Sequence, residues 1–140
     1  MTRGMSLNNP LNLMSNPHFS WNGELKPTKD PSGRLCMFDT VLNGIRAGAI
    51  NLLSYYLQDG CETVSEIVTR YAPPIENDTA AYIQFMAEYV GVDPNEQIVL
   101  TASDFLNKWV AGQIHYEQGC DACSTADISA GVQSALNYKK

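Results

Sequence analysis

Basic residues are scarce in this sequence. Only nine of the 140 residues are Lys or Arg, against 15 Asp and Glu, so the formal net charge is −6. Proteins that bind nucleic acid need clustered Lys and Arg to neutralise phosphates. We therefore expect no nucleic-acid partner.

Long apolar runs are also missing. The longest apolar-rich run, residues 47–57, is interrupted by Asn51 and Ser54 and is far shorter than the roughly 18 residues of a membrane span. The first ten residues, MTRGMSLNNP, contain no hydrophobic stretch of the kind that secretory signals carry. We therefore expect neither a membrane span nor a signal peptide.

The histidines and cysteines lack the spacing of a metal site. The two histidines are isolated, and Cys120 and Cys123 form a C-x-x-C pair without a second close pair, because Cys36 and Cys61 lie far apart in the chain. No neighbouring βαβ pattern supports a thioredoxin-like centre. The cysteines are expected to be small buried thiols, or to form one or two disulfides after leaving the cytoplasm. We expect no metal and no other cofactor.

The composition, 44% hydrophobic and 17% charged, is typical of a compact globular protein, and the length suits one domain, residues 1–140. Asp39 or Thr40 can cap a helix that runs to about residue 59, and the capping box Thr63-Val-Ser-Glu66 begins a short second helix. Asn77 or Asp78 can cap a helix over 79–90 that ends at Gly91.

Two more helices are predicted in the last third of the chain. Thr101 or Ser103 can cap a helix that ends at Gly119, and Ser124 or Thr125 can begin a last helix through about residue 138. Lys139 and Lys140 would favour its C-terminal dipole. Residues 34–38 form a short β-prone run. The fold class is therefore mainly α, a single helical domain with at most a short β element.

Residues 1–33 are rich in turn signals, among them Asn9-Pro10 and Asn16-Pro17. Such a segment is either a flexible tail or an ordered loop that lies across a groove. Its apolar residues favour an ordered loop region packed on the helical core; they are Leu11, Leu13, Met14, Phe19 and Trp21.

The helix over 103–118 carries a carboxylate on its apolar face. Phe105, Leu106, Trp109, Val110, Gln113, Ile114 and Glu117 recur at spacings of three and four, which places them on one face. Burial penalises the charged form of a carboxyl group, so we expect the pKa of Glu117 to be raised, as a general acid requires. The alternative is that Glu117 reaches solvent at the helix end or pairs with a cation such as Arg46, which also could pair with Glu76.

The string Arg3-Gly4, Asn8-Asn9-Pro10, Asn12-Leu13, Trp21 and Gly23 resembles the opening of a family of phage and prophage proteins, many of them virion structural proteins. That family opens with Arg-Gly…Asn-Asn-Pro-Gly-Asn-Ile followed by Trp-x-Gly. Leu11 replaces the Gly of the motif, so the backbone there is less permissive. The similarity continues through Gly44-Ile45-Arg46-Ala47, Ala72-Pro73-Pro74, Glu76-Asn77-Asp78-Thr79 and Glu117-x-Gly119. It implies a virion protein, made in the host cytoplasm, whose partners include other virion proteins.

The chain also has an Asn, a Trp-x-Gly motif, a Phe, a helix and a Pro-containing turn into a Tyr, in that order. This order faintly resembles the distal half of flagellar-type N-acetylglucosaminidases of the lysozyme superfamily. Those enzymes carry their catalytic Glu early in the chain, whereas Glu117 comes late, so this resemblance implies a circularly permuted lysozyme-like fold. It also implies that Tyr82 lies near the catalytic Glu. The same resemblance places Asn9, Asn12 and Trp21 along a saccharide groove, where Asn77 either binds the glycan or caps a helix.

The function implied is cleavage of peptidoglycan glycan strands at the host cell wall or periplasm. Glu117 would donate a proton to the glycosidic oxygen, as in a muramidase, a glucosaminidase or a lytic transglycosylase. A two-carboxylate glycosidase needs a partner about 5 to 9.5 Å away; the candidates are Glu24, Asp39, Glu76 and Asp78, and the sequence does not rank them. The alternative is a non-catalytic structural virion protein or adaptor that keeps a lysozyme-like fold.

Overall fold

A computed structural model describes residues 1–138, and helices dominate this part of the chain. Lys139 and Lys140 lie outside the described residues. The elements are α1 (Arg3–Ser6), β1 (Glu24–Leu25), β2 (Met37–Phe38), α2 (Val41–Leu57), α3 (Val64–Tyr71), α4 (Thr79–Val90), α5 (Ser103–Gln118) and α6 (Thr125–Leu136). The expected mainly α fold with a short β element is confirmed. No helix among these residues has both the length and the apolar character needed to cross a bilayer.

Local side-chain hydrogen bonds fix where most helices begin. Thr40, Thr63, Asp78 and Ser124 each accept a hydrogen bond from the backbone N–H three residues later, at 3.1–3.2 Å. These contacts satisfy N–H groups that the first turn leaves without a helical partner. The four helix starts predicted from capping residues are therefore confirmed.

Helix α5 begins differently. Ala102 occupies the N-cap position and no side chain caps the helix, so the prediction of a cap at Thr101 or Ser103 is wrong. Packing stabilises α5 instead, since Leu106, Trp109 and Ile114 are almost completely buried. The helix ends at Gly119, whose φ of 78° is a left-handed conformation that glycine adopts without steric cost.

The helices surround one large apolar core. Helix α2 packs against α6, and α5 lies against both α4 and α6. Helix α6 ends at Leu136, two residues before the predicted end. This packing leaves the C-terminal end of α5, with Glu117, at the edge of the core.

The N-terminal segment, residues 1–38, lies against α2. Leu11 is completely buried above Gly48, where a side-chain carbon would collide with the leucine. The carbonyl of Asn8 approaches Gly44 equally closely. Two glycines one helical turn apart therefore let this segment touch the helix backbone.

The sheet is smaller than the sequence indicates. Of the predicted strand over 34–38, only β2 pairs with β1, antiparallel, with Glu24 opposite Phe38 and Leu25 opposite Met37. Leu35 instead forms an isolated bridge with Met14. The chain therefore changes partner within this run.

Candidate functional site

An open cleft of about 810 Å³ separates the N-terminal segment from the helical core. Its walls come from residues 2–35 on one side and from α2, α3, the loop 72–77 and the end of α5 on the other. Its amide, aromatic and charged lining residues are Asn12, Asn16, Asn51, Asn77, Gln118, Phe19, Trp21, Tyr55, Tyr71, Arg3, Arg34, Arg70, Glu76 and Glu117. A lining that mixes aromatic rings with amides suits a polar ligand that has flat apolar faces.

Glu117 reaches this cleft because α5 carries a polar stripe along its buried face. Trp109, Gln113 and Glu117 follow one another at a spacing of four residues, so they stack on one side of the helix. The indole Nε1 of Trp109 donates a hydrogen bond of 2.9 Å to Oε1 of Gln113. Oε1 of the buried Gln113 is thus satisfied, whereas its Nε2 has no hydrogen-bond partner among the described residues. The next residue in the stripe is the half-buried Glu117 in the cleft wall.

Two donors from distant parts of the chain hold the Glu117 carboxylate. Nδ2 of Asn12 donates to Oε1 at 2.8 Å, and the Tyr82 hydroxyl donates to Oε2 at 2.6 Å. The charged acceptor makes such bonds stronger than those between neutral groups. Each carboxylate oxygen therefore has a fixed partner, and Glu117 forms no ion pair with Arg46 in the described structure, where that guanidinium lies over the Tyr138 ring.

The backbone of Asn12 adopts a left-handed conformation, with φ of 51°. Asparagine tolerates this region better than most residues. Gln118 fixes the side chain, because its Nε2 donates to Oδ1 of Asn12 at 3.3 Å and to the Pro10 carbonyl at 2.7 Å. The Thr2 hydroxyl donates to Oε1 of the same Gln118. Neighbouring residues 117 and 118 thus fasten the N-terminal segment to the end of α5.

Tyr82 is buried, and its hydroxyl is kept protonated. Burial raises the pKa of Tyr82 well above its usual value of 10, and the negative charge of Glu117 raises it further. Stacking on Tyr116 at a centroid distance of 3.8 Å holds the ring. The hydroxyl therefore remains protonated, and able to donate to Glu117, up to about pH 10.

The structure brings together most of the residues proposed from sequence. Asn12, Trp21, Asn77 and Glu117 all line the cleft, and Tyr82 contacts Glu117 from behind it. Asn77 also donates a hydrogen bond to the Pro73 carbonyl at 3.0 Å, while Asp78 rather than Asn77 caps α4. These residues are therefore placed where a ligand in the cleft would meet them.

Asn9 requires a correction. Its side chain is completely buried and lies outside the cleft. Its amide donates to the carbonyls of Leu13 and Cys36 at 3.0 Å, and its Oδ1 accepts from the Leu13 N–H at 2.9 Å. Because these bonds occupy the amide, Asn9 holds the N-terminal segment together and does not contact a ligand.

The four candidates for a second carboxylate differ in whether they line the cleft. Glu76 lines the cleft with Glu117, whereas Glu24, Asp39 and Asp78 do not. Glu24 accepts from the Trp21 N–H, Asp39 from the Asn43 amide, and Asp78 caps α4. Glu76 is therefore the candidate that the geometry favours.

The cysteines are free thiols in this structure. Burial raises the pKa of Cys36 to about 12 and that of Cys123 to about 11, so both are protonated near neutral pH. Within residues 1–138, no three His, Cys, Asp or Glu side chains come together as metal ligands would.

Several lining residues were not proposed from the sequence. They are Arg3, Arg34, Arg70, Tyr55, Tyr71 and Gln118. Arg3 belongs to the opening Arg-Gly motif, and Gln118 directly follows Glu117. Their places in the sequence could therefore have indicated that they belong to the site. Arg34 and Arg70 follow no pattern, and only the fold shows that they face the same cleft.

The comparisons with known proteins agree with a phage origin. No protein-family model matches the chain. Protein P5 of Pseudoalteromonas phage PM2 is 40% identical to it over 133 residues, which cover 94% of this chain and 80% of that protein. The chain therefore belongs to the family of phage proteins that includes Protein P5 of phage PM2.

Proposed function

We propose that this chain is a virion-associated protein that cleaves the glycan strands of peptidoglycan, with Glu117 as the general acid. The observation that carries the proposal is the environment of Glu117. This carboxyl group lies in the wall of an open cleft, and separate donors orient its two oxygens. Such fixed orientation of an ionisable carboxyl group in a cleft wall is typical of an active site. To act as the general acid, Glu117 would carry a proton on one oxygen, and that oxygen would give up its present donor to face the glycosidic oxygen.

The cleft supplies the other parts that glycan cleavage needs. The Trp21 indole can stack on a sugar face, and the amides of Asn12 and Asn77 can bind N-acetyl and hydroxyl groups. Glu117 would donate its proton to the glycosidic oxygen. Tyr82 would act through Glu117 by holding the carboxyl group in place, since its hydroxyl lies behind the cleft wall.

The choice between two reactions depends on Glu76. A glycosidase would use Glu76 as its second carboxylate, whereas a lytic transglycosylase needs Glu117 alone. Arg34 holds Glu76 through an ion pair of 3.2 Å, and more than half of both side chains is exposed. We favour the single-carboxylate reaction, which mass spectrometry would recognise by anhydro-sugar ends instead of reducing ends.

A permuted lysozyme-like fold is part of this proposal. Its support is the contact between the N-terminal segment and the end of α5, made by Asn12 and Glu117 across 105 positions of the chain. Chain order is free to change when such contacts are kept.

The alternative function is a structural virion protein or adaptor without catalysis. Its support is the exposed apolar rim of the cleft, where Met14 and Phe19 are each about half exposed. Both functions predict that mass spectrometry of purified particles detects the chain in the virion.

A zymogram on purified cell walls separates the two functions. We expect wild type to clear the gel and Glu117→Gln to lose about 10²- to 10⁴-fold of the activity, because Gln cannot donate the proton. The matched control is Glu88→Gln, an exposed residue of α4 that does not line the cleft. Clearing by the Glu117 variant at the wild-type rate would reject Glu117 as the acid, and no clearing by wild type would favour the structural role.

A further inference from the structure

We propose that the cleft recognises glycan that still carries its acidic peptide stems, and that Arg34 and Arg70, assisted by Arg3, bind the stem carboxylates. This inference rests on the proposed function and names the substrate within the peptidoglycan class. Its basis is the presence of three arginines in the cleft, because an uncharged glycan strand offers no partner for their charges.

Positive charge is concentrated in the cleft. The chain has only four arginines and a net charge of −6, yet Arg3, Arg34 and Arg70 all line this one surface. Glu76 and Glu117 are the acidic residues among the described lining, and Asp30 and Asp59, which do not line the cleft, each contact one of its arginines from outside. A cleft for an uncharged sugar strand would not need three guanidinium groups.

The guanidinium groups are held in position but keep donors available. The contacts to carboxylates are single: Arg34 to Glu76 at 3.2 Å, Arg70 to Asp59 at 3.2 Å and Arg3 to Asp30 at 3.4 Å. Between 56% and 57% of each arginine side chain is exposed. Because a guanidinium has five N–H donors, one such contact leaves a fork that can bind a further carboxylate.

The arginines stand on both walls of the cleft. Arg3 and Arg34 belong to the N-terminal segment, whereas Arg70 lies in the last turn of α3, over the Tyr55 ring at 5.3 Å. Peptide stems leave a glycan strand at intervals and place separate carboxylates on its sides. A continuous phosphate backbone would instead pass Glu76 and Glu117, whose charges would repel it. The geometry therefore favours separate carboxylates over nucleic acid.

The test measures binding in the Glu117→Gln background, where cleavage is blocked. Co-sedimentation compares intact cell-wall sacculi with sacculi whose stem carboxylates have been converted to neutral amides by a carbodiimide and excess ethanolamine, which leaves the wall cross-linked and insoluble. We expect intact sacculi to bind at least about tenfold more tightly, and each of Arg34→Gln and Arg70→Gln to weaken that binding about threefold to fivefold, as for an exposed ion pair. Binding to the amidated sacculi should not change with either substitution.

Lys108→Gln is the matched control, since Lys108 is exposed on α5 and does not line the cleft. Equal affinity for intact and amidated sacculi, equal losses with the control, absence of binding, or tighter binding to duplex DNA would each overturn the inference. The zymogram judges the proposed function separately. Wild type that clears amidated and intact walls alike keeps the cleavage and rejects recognition of the stem carboxylates, whereas binding of intact sacculi without clearing does the reverse.

Discussion

Tyr82 shows how one buried side chain serves both stability and the site. Replacing it with Phe removes the donor to Glu117 and should lower the free energy of unfolding by about 1–2 kcal/mol near neutral pH. The folded pKa of Tyr82 lies above its unfolded value of about 10, so its contribution is complete below pH 10 and is lost as the pH rises further.

Urea unfolding at several pH values checks this expectation. The stability difference between wild type and Tyr82→Phe should shrink above about pH 10, while the surface variant Tyr138→Phe should stay close to wild type throughout. A difference that stays constant into the alkaline range would contradict the assignment of Tyr82 as a buried donor.

Asp30 controls the loop that leads into Arg34. The Ser32 hydroxyl at 2.7 Å and the Leu35 N–H at 2.9 Å both donate to its carboxylate. These bonds, with that of the Ser32 hydroxyl as the largest cause, lower the pKa of Asp30 from 3.8 to about 2. Because the folded pKa is depressed, the carboxylate stabilises the fold above about pH 4 and ceases to do so as the pH falls towards 2.

Asp30→Asn should therefore be less stable than wild type at pH 7 and show a smaller loss between pH 4 and pH 2. Thermal unfolding followed by circular dichroism measures both. A variant that loses stability with acid as steeply as wild type would show that another carboxylate is responsible.

At the scale of the elements, the sequence predicts what local contacts decide. Four helices begin where a side chain accepts a hydrogen bond from the backbone N–H three residues later; the capping residues are Thr40, Thr63, Asp78 and Ser124. The spacing of apolar residues shows which face of each helix is buried. The start of α5 was not predictable in this way, because the methyl side chain of Ala102 cannot accept a capping hydrogen bond. Strand β1 and helix α1 were not predicted either, because both are short and make contacts with distant parts of the chain.

The site was predicted in part for the same reason. Glu117 stands out because a carboxylate interrupts an apolar stripe, and Tyr82 and Asn12 followed from the resemblance. Asn9 was predicted to line the groove, but its amide is bonded to the backbone of Leu13. An asparagine amide can bind either the backbone or a sugar, and only the fold shows which partner is near. Arg34 and Arg70 lie on separate walls, so no sequence spacing connects them.

The molecule consists of the helical core and the N-terminal segment that packs on it, and the cleft opens between these two parts. Leu11 is the apolar residue that fastens the segment to α2, and it immediately precedes Asn12. Leu11→Ala should lower the free energy of unfolding by about 3 kcal/mol, as for other completely buried leucines. It should also let Asn12 move away from Glu117.

Leu100→Ala separates these two effects, because Leu100 is equally buried in the main core but does not line the cleft. Both variants should have similarly lowered unfolding midpoints. Binding to intact sacculi, measured well below those midpoints, should fall severalfold with Leu11→Ala and stay near wild type with Leu100→Ala. Equal binding by the two variants would mean that the cleft does not depend on docking of the N-terminal segment. Because the two parts meet through Leu11 and through the Asn12–Glu117 contact, loosening the first contact should disturb the second.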